Sequence, residues 1–107
     1  MKNEIELLIE KIKANYKKWS DAGRREGYDT IRDEMIEKFN NSFEVVEGRK
    51  YIKIVSNKSV WGFIVADDKD KKFRKGDILK PAGWATPARN FARGNVFENY
   101  EVVWMGA

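Results

Sequence analysis

The sequence predicts an α+β fold in which two N-terminal helices pack on one face of a mainly antiparallel sheet of about five strands. Two observations predict it: apolar residues recur at helical spacing over residues 1–40, and from Phe43 onward they alternate with polar residues or form short runs. With 107 residues, 42% of them hydrophobic, the chain has enough apolar side chains for one modest core. We therefore expect a single domain over residues 1–107.

The first helix is predicted from an apolar stripe near the N-terminus, with Glu and Lys residues between its members. The stripe consists of Ile5, Leu8, Ile9, Ile12, Tyr16 and Trp19. Because glycine destabilises a helix interior by about 1 kcal/mol, Gly23 and Gly27 predict a break after this helix.

A second helix is predicted to begin at Asp29 or Thr30, because either side chain can cap a helix N-terminus. It is expected to run through Phe39 and to end at "NNS", residues 40–42. Its predicted core-facing stripe contains Ile31, Met35 and Phe39, with Tyr28 and Ile36 at the margins.

Strands are predicted in the second part of the chain, where the apolar pattern changes. The five candidates are "FEVVEG", "KYIKIVS", "SVWGFIVA", "GDILK" and "YEVVWMG". Gly48 with Arg49, and Asn57 with Lys58, are expected to form short hairpin turns between the first three. The order of elements indicates an antiparallel meander that follows the two helices.

The chain contains no cysteine and no histidine. Disulfides, thiolate nucleophiles and zinc sites built from sulfur or imidazole are therefore excluded, and the commonest acid–base residue near neutral pH is missing. The sequence also has no glycine-rich phosphate loop and no hydroxyl nucleophile at a diagnostic spacing from a base. We expect a protein that is not an enzyme and that binds no metal or cofactor.

The sequence predicts a cytoplasmic protein without a membrane partner. No apolar run approaches the ~20 residues that cross a bilayer, and the opening "MKNEIELLIEKIK" is too charged for a signal peptide. The absence of cysteine gives no sign of an oxidising compartment.

The net charge of +4 is unevenly placed along the chain. Residues 1–47 carry −2, residues 48–80 carry +6 and residues 81–107 are neutral. Within the basic segment, "DDKDKKFRKGD" (residues 67–77) interleaves aspartates with the candidate nucleic-acid-binding residues Lys69, Lys71, Lys72, Arg74 and Lys75. Two interpretations stay open: a solvated hairpin tip, which is the commoner case, or a basic hairpin that grips a nucleic-acid backbone.

The stretch "GWATPARNFARGN", residues 83–95, predicts a short helix near residues 87–93. Thr86 is a good N-cap, Pro87 suits the first helical position, and Gly94 fits the left-handed residue after a helix end. On this helix Arg89 and Arg93 would lie one turn apart.

The same stretch has two interpretations. In the structural one, Phe91 plugs the open end of the sheet, Trp84 packs on the core, and the arginines pair with Glu98 or Glu101. In the binding one, the two arginines clamp the phosphate of a small anionic nucleotide, while a tryptophan stacks on its base and asparagines add hydrogen bonds. The candidate ligand-binding residues are Trp84, Arg89, Asn90, Arg93 and Asn95.

Four segments in a fixed order carry a resemblance to known proteins: "YIKIV", "GDILKPAGW", "ATPARNFARGN" and "VVWMGA". Together they resemble a family of small, mostly uncharacterised proteins of tailed bacteriophages, over about residues 50–107. The resemblance implies a phage or prophage origin and carries no agreed activity. It also implies that Trp84, Pro87, Arg93, Gly94 and Asn95 define a structural feature common to the family.

These observations lead to one functional expectation and two alternatives. The expectation is a small non-enzymatic phage-type accessory protein that binds a host macromolecule, most simply a host protein, in the host cytoplasm, for host takeover or against host defence. The alternatives are a nucleic-acid-binding module that uses the basic 48–80 segment, and sequestration of a small anionic nucleotide by residues 84–95.

Overall fold

The structure, a computed structural model, describes residues 1–22 and 29–107 and confirms the α+β class. Two N-terminal helices precede a five-stranded antiparallel sheet with the strand order β1-β2-β3-β4-β5. The elements are α1 (Lys2–Ala22), α2 (Asp29–Asn40), β1 (Glu44–Glu47), β2 (Tyr51–Ser56), β3 (Ser59–Val65), β4 (Asp77–Leu79) and β5 (Gly94–Asn95). The predicted break at Gly23 and Gly27 lies outside the described residues, as do Tyr28 and the predicted capping side chains of Asp29 and Thr30.

Helix α1 covers one face of the sheet with most of its predicted stripe. Ile5, Leu8, Ile12 and Tyr16 are buried, and Ile9 packs against the same core. The sheet contributes to this core the buried side chains of Ile52, Ile54, Trp61, Ile64, Ile78 and Val96. The last member of the predicted stripe, Trp19, is instead 53% exposed, because α1 extends past the sheet at its C-terminal end.

The opposite face of the sheet is covered by irregular chain rather than by a helix. A second cluster forms there from Phe63, Val65 and Leu79 of the sheet with Phe73. Its cover consists of a turn, residues 67–77, which we call the basic turn, and of residues 80–93, which we call the strap. The basic turn, and with it Arg89 of the strap, therefore lies on the face of the sheet that α1 does not cover.

The predicted short helix at 87–93 is wrong. Residues 87–93 form no helix; the strap turns back on itself, so that Pro81 and Pro87 form a bridge. Its backbone donates hydrogen bonds from Ala88 to the Lys80 carbonyl and from Arg93 to the Ile78 carbonyl, both at 2.7 Å. A helix of so few residues has little stability of its own. The hydrogen bonds to the Ile78 and Lys80 carbonyls therefore determine the conformation of the strap.

The ends of the strap also differ from the prediction. Gly94 is not a left-handed residue after a helix but the first residue of β5, paired with Ile78. A Cβ atom at Gly94 would lie 3.0 Å from the Cβ of Tyr100, so the close approach of these two chain segments favours glycine. Thr86, the predicted N-cap, instead accepts backbone hydrogen bonds from Ala82 and Gly83 through its carbonyl.

The predicted fifth strand "YEVVWMG" is also wrong, because residues 101–107 adopt no strand. Their polar backbone groups bond elsewhere: the Trp61 indole donates to the Val103 carbonyl at 2.8 Å, and the Ala107 amide donates to the Trp61 carbonyl at 2.9 Å. The Trp104 amide donates to the side chain of Asn15 on α1 at 2.9 Å. This segment therefore lies between α1 and β3, and the fifth position in the sheet belongs to β5.

The two predicted hairpin turns are confirmed. Asn57 and Lys58 have φ angles of 49° and 63°, the left-handed pair that a two-residue hairpin requires. At the other turn, the Gly48 amide donates to the Tyr51 carbonyl at 2.9 Å.

Helix α2 runs antiparallel to the end of α1 and forms with it a helical arm. Two contacts fix their register: Tyr16 stacks on Phe39 with ring centroids 4.0 Å apart, and Asp21 pairs with Arg32 at 3.3 Å. Phe39 is buried in the core, as predicted. The rest of the predicted α2 stripe is wrong, because Ile31 and Met35 are 53% and 47% exposed. The arm fits the elongated shape of the molecule, which measures 52 × 25 × 25 Å.

Candidate functional site

The five predicted ligand-binding residues do not form one cluster, and Arg89 is the clearest case. Its guanidinium donates two hydrogen bonds to Asp70, at 2.9 and 3.0 Å, and a third to the Tyr51 hydroxyl. The hydrogen bonds from Arg89 hold the pKa of Asp70 well below the usual range, and the hydrogen bonds from the backbone amides of Phe73 and Lys72 lower it further. Arg89 therefore ties the strap to the basic turn and to β2.

Glu98 and Glu101, the carboxylates predicted to pair with Arg89 and Arg93, pair with neither arginine among the described residues. Glu98 pairs with Arg74, at 2.5 Å, and raises the pKa of that guanidinium. Arg93 contacts the ring of Phe91 at 4.2 Å, and within residues 1–22 and 29–107 it forms no ion pair. The predicted pairing of Arg89 or Arg93 with Glu98 is therefore wrong, because Glu98 pairs with Arg74 of the basic turn and Arg89 pairs with Asp70.

Asn95 is a structural residue. It is 4% exposed, and its amide donates to the Asp77 carboxylate at 2.9 Å and to the Lys75 carbonyl at 3.0 Å. Its carbonyl oxygen accepts a hydrogen bond from the Phe97 amide at 2.8 Å. The first two bonds join the basic turn to β5, and all three use the side chain of Asn95 within the fold.

Three further strap residues, Trp84, Asn90 and Phe91, are exposed. Trp84 is 59% exposed and Phe91 is 52% exposed, so the predictions that one packs on the core and the other plugs the sheet are wrong. Asn90 is exposed as well, and its side chain accepts a hydrogen bond from the Phe91 amide at 2.9 Å. Lys53 of β2 lies 4.4 Å from the centre of the Trp84 ring and donates to the Trp84 carbonyl at 3.3 Å.

In the basic turn the aspartates bond to backbone amides of the turn itself. Asp67 accepts from the Lys69 amide, Asp70 from the Lys72 and Phe73 amides, and Asp77 from the Arg74 amide, at 2.8 to 2.9 Å. This is the usual role of aspartate in turns.

The basic side chains of the turn have two roles. Lys72 donates to the Arg89 carbonyl and Arg74 pairs with Glu98, so both are partly structural. Lys69, Lys71 and Lys75 are exposed, and they form no ion pair with the described residues. Asp68 is exposed as well, so the turn presents three lysines without an ion pair among the described residues beside one exposed aspartate.

Lys53 was not among the predicted site residues. It follows Tyr51 by two positions on β2, so both side chains leave the same face of the sheet. Tyr51 contacts Arg89, which in turn contacts the basic turn, and Lys53 contacts Trp84. The alternation of "YIKIV" contains this signal, although it does not show which residue of the strap lies opposite.

A groove of about 710 Å³ opens between α1 and residues 100–107, in a place that the sequence does not predict. Its walls carry three basic side chains and one acidic side chain: Lys11, Lys18, Arg93 and Glu101. Trp61 and Ile78, both 2% exposed, form its base. The wall residue Tyr100 has a buried hydroxyl without a hydrogen-bond partner among the described residues, and burial raises its pKa.

The helical arm carries large apolar side chains that the described residues leave exposed. Trp19 lies on α1 between the two contacts that fix the helix register, and Met35 lies between the same contacts on α2. Ile31 precedes Met35 by four residues, so the two share one face of α2. Met105, which is 74% exposed, follows Trp104, whose ring lies 5.0 Å from that of Trp19.

Two kinds of site are absent from the part of the chain that the structure describes. It holds no group of three or more acidic side chains placed to bind a metal ion. Neither described helix combines the length and the apolar character that crossing a bilayer requires.

The fold and these surfaces define a small α+β protein with exposed apolar and basic regions and a basic groove. A family model described as "Family of unknown function (DUF7717)" matches residues 1–106, so the chain belongs to that family. No curated protein and no solved structure gives a significant match. The resemblance to tailed-bacteriophage proteins stays a prediction.

Proposed function

We propose that this protein is a small non-enzymatic accessory protein of phage type that acts by binding a host protein through its helical arm. The observation that carries the proposal is the exposure of Ile31 and Met35, which the helical pattern assigns to a core. Apolar side chains that the described residues leave half exposed are typical of a surface that binds a partner.

The composition of the arm supports the proposal. Tryptophan and methionine are enriched in protein interfaces, and the arm exposes Trp19 and Met35, while the exposed Met105 follows Trp104, whose ring lies 5.0 Å from that of Trp19. Trp19 packs against Tyr16 and Trp104, so its ring is held in place before a partner arrives. A rigid aromatic side chain costs little conformational entropy on binding.

We expect Met35→Glu to abolish partner capture while the protein stays folded. Met35 lies outside the core clusters, so the substitution adds a charge to the binding surface without removing core packing. Tagged parent protein and variant would be compared in pull-downs from host lysate, with stoichiometric recovery as the readout. A loss of tenfold or more is expected, because a charge at an interface centre costs about 1.4 kcal/mol or more.

The control is Leu7→Glu, which places the same charge on α1 at a leucine that is 53% exposed and outside the arm. It should recover the partner as the parent does. Recovery of no stoichiometric protein, or equal recovery with Met35→Glu, would refute the proposal. A homodimer in light scattering that Met35→Glu dissociates would show that the arm binds a second copy instead.

A second candidate function is nucleic-acid binding, favoured by the geometry of the basic turn. Three of its four aspartates, Asp67, Asp70 and Asp77, bond to the turn's own backbone, while Lys69, Lys71 and Lys75 are exposed. Trp84, exposed beside Lys53, adds a ring on which an unpaired base can stack.

We expect the triple variant Lys69→Gln/Lys71→Gln/Lys75→Gln to flatten the salt dependence of binding to a single-stranded oligonucleotide. With roughly four phosphate contacts, the affinity of the parent should fall on the order of 100-fold between ~50 and ~200 mM salt. Each lost contact lowers the slope by about one. The measurement is fluorescence anisotropy at both salt concentrations.

The matched control is Lys2→Gln/Lys17→Gln/Lys38→Gln, which removes the same charge from exposed positions on the helices. Its salt slope should equal that of the parent. An equal effect of both triple variants would mean that only net charge matters, and no binding at ~50 mM salt would end this candidate.

A further inference from the structure

We propose that the groove between α1 and residues 100–107 binds a small organic polyanion with an apolar or aromatic body, of the chemical class of nucleoside diphosphates. Its volume of about 710 Å³ lies within the range of small-molecule sites. The site differs from the predicted clamp at residues 84–95, with which it shares only Arg93. It borders the helical arm at Lys18, contains neither Trp19 nor Met35, and is separate from the basic turn.

The charges of the groove select an anion. Lys11, Lys18 and Arg93 face one acidic side chain, Glu101, and the balance stays positive with the Ala107 carboxyl group counted as a second anion. None of the three basic groups forms an ion pair with residues 1–22 and 29–107. Their charge is therefore available to a ligand.

Two of the basic groups are held in place by rings, which do not neutralise them. The Lys11 ammonium lies 3.8 Å from the centre of the Tyr100 ring and donates to the Tyr100 carbonyl at 3.4 Å. The Arg93 guanidinium lies 4.2 Å from the centre of the Phe91 ring. A cation that packs on an aromatic face is oriented yet keeps its full charge, so it is ready for an anionic ligand.

The spacing of the basic groups and the base of the groove define the ligand further. Lys11 and Lys18 are seven residues apart on α1, which places them on one side of the helix about 10 Å apart. One compact anion such as a single phosphate cannot contact both Lys11 and Lys18, whereas the diphosphate of a larger ligand can. The base of Trp61 and Ile78 is apolar, which suits the ring system of such a body.

The test compares three probes by isothermal titration with the full chain: ADP, tripolyphosphate and adenosine. ADP should bind with a 1:1 stoichiometry, and the other two at least tenfold more weakly, because each lacks one of the two recognised parts. Lys18→Gln should weaken ADP binding about tenfold, the effect of losing one charged hydrogen bond. Lys17→Gln is the control, since it removes the neighbouring exposed lysine that does not line the groove.

The outcomes that would overturn the proposal are distinct. No saturable ADP binding, or equal weakening by both lysine variants, would refute the groove as the site. Tripolyphosphate binding as tightly as ADP would refute the apolar body, and adenosine doing so would refute the anion. Binding of a polyglutamate peptide without ADP binding would make the groove a protein-docking site instead. Met35→Glu should leave ADP binding unchanged, which separates this test from that of the helical arm.

Discussion

Asn95→Asp is expected to destabilise the protein by about 3–5 kcal/mol at neutral pH, the cost of a buried charge without a partner. The Asn95 amide nitrogen lies 2.9 Å from a carboxylate oxygen of Asp77, and both residues are at least 95% buried. The substitution replaces this donor with a second carboxylate and removes the hydrogen bond to the Lys75 carbonyl. Urea denaturation followed by circular dichroism measures the loss.

The pH dependence of this variant identifies the cause. Two carboxylates in contact share a proton, so in the folded variant the pair titrates above the unfolded value of about 3.9. The folded variant then binds more protons than the unfolded variant. Its loss of stability relative to the parent protein should therefore become smaller as the pH falls from about 7 towards about 4. Asn90→Asp is the control, because Asn90 is exposed and an aspartate there can still accept from the Phe91 amide. A comparable loss in Asn90→Asp, or a deficit that does not change with pH, would contradict the buried-network explanation.

Elements whose signal is local could be predicted from the sequence. The α1 stripe and the hairpin at Asn57 and Lys58 both depend on residues within one helix or one turn; the hairpin is confirmed, and so is the stripe except for Trp19. In α2 the same helical spacing predicts a buried Ile31, but the helix extends beyond the sheet. Periodicity identifies an apolar face, and it does not tell whether this chain or a partner covers that face.

The strap could not be predicted because its conformation depends on distant residues. Its sequence has the signals of a short helix, from Thr86 to Gly94, yet backbone hydrogen bonds to the Ile78 and Lys80 carbonyls hold it in an irregular conformation. A helix of seven residues gains too little to compete with bonds to a preformed strand. The resulting geometry places Arg89 on Asp70 and Arg93 at the groove, which separates the two arginines of the predicted clamp.

The basic turn shows the same limit for a site. Its sequence alternates acidic and basic residues, which predicts a nearly neutral tip if every side chain is solvated. In the structure Asp67, Asp70 and Asp77 bond to backbone amides, whereas Lys69 and Lys71 are exposed. Whether a charged side chain bonds to the backbone of the turn or points into solvent depends on the geometry of the turn, which the sequence alone does not give.

Truncation to alanine should destabilise the protein strongly at Trp61 and only slightly at Trp84, although both tryptophans neighbour a glycine in the sequence. Trp61→Ala is expected to cost about 3–5 kcal/mol, because it leaves a cavity in the core between α1 and the sheet. Trp61 is 2% exposed, and its indole donates to the Val103 carbonyl at 2.8 Å, so the variant also frees the segment that forms one wall of the groove. Trp84→Ala should cost less than about 1 kcal/mol, the value of an exposed contact between a cation and a ring.

Urea denaturation of both variants measures the difference, with Trp61→Phe as an intermediate that keeps most of the apolar volume and loses the hydrogen bond. The expected order of stability is Trp84→Ala, then Trp61→Phe, then Trp61→Ala. If Trp84→Ala were as damaging as Trp61→Ala, Trp84 would pack on the core, and the strap would not have the exposed position found here. If Trp61→Phe were as stable as the parent, the bond to Val103 would contribute nothing, and residues 101–107 would be held by their remaining hydrogen bonds and by the packing of Trp104 on the core.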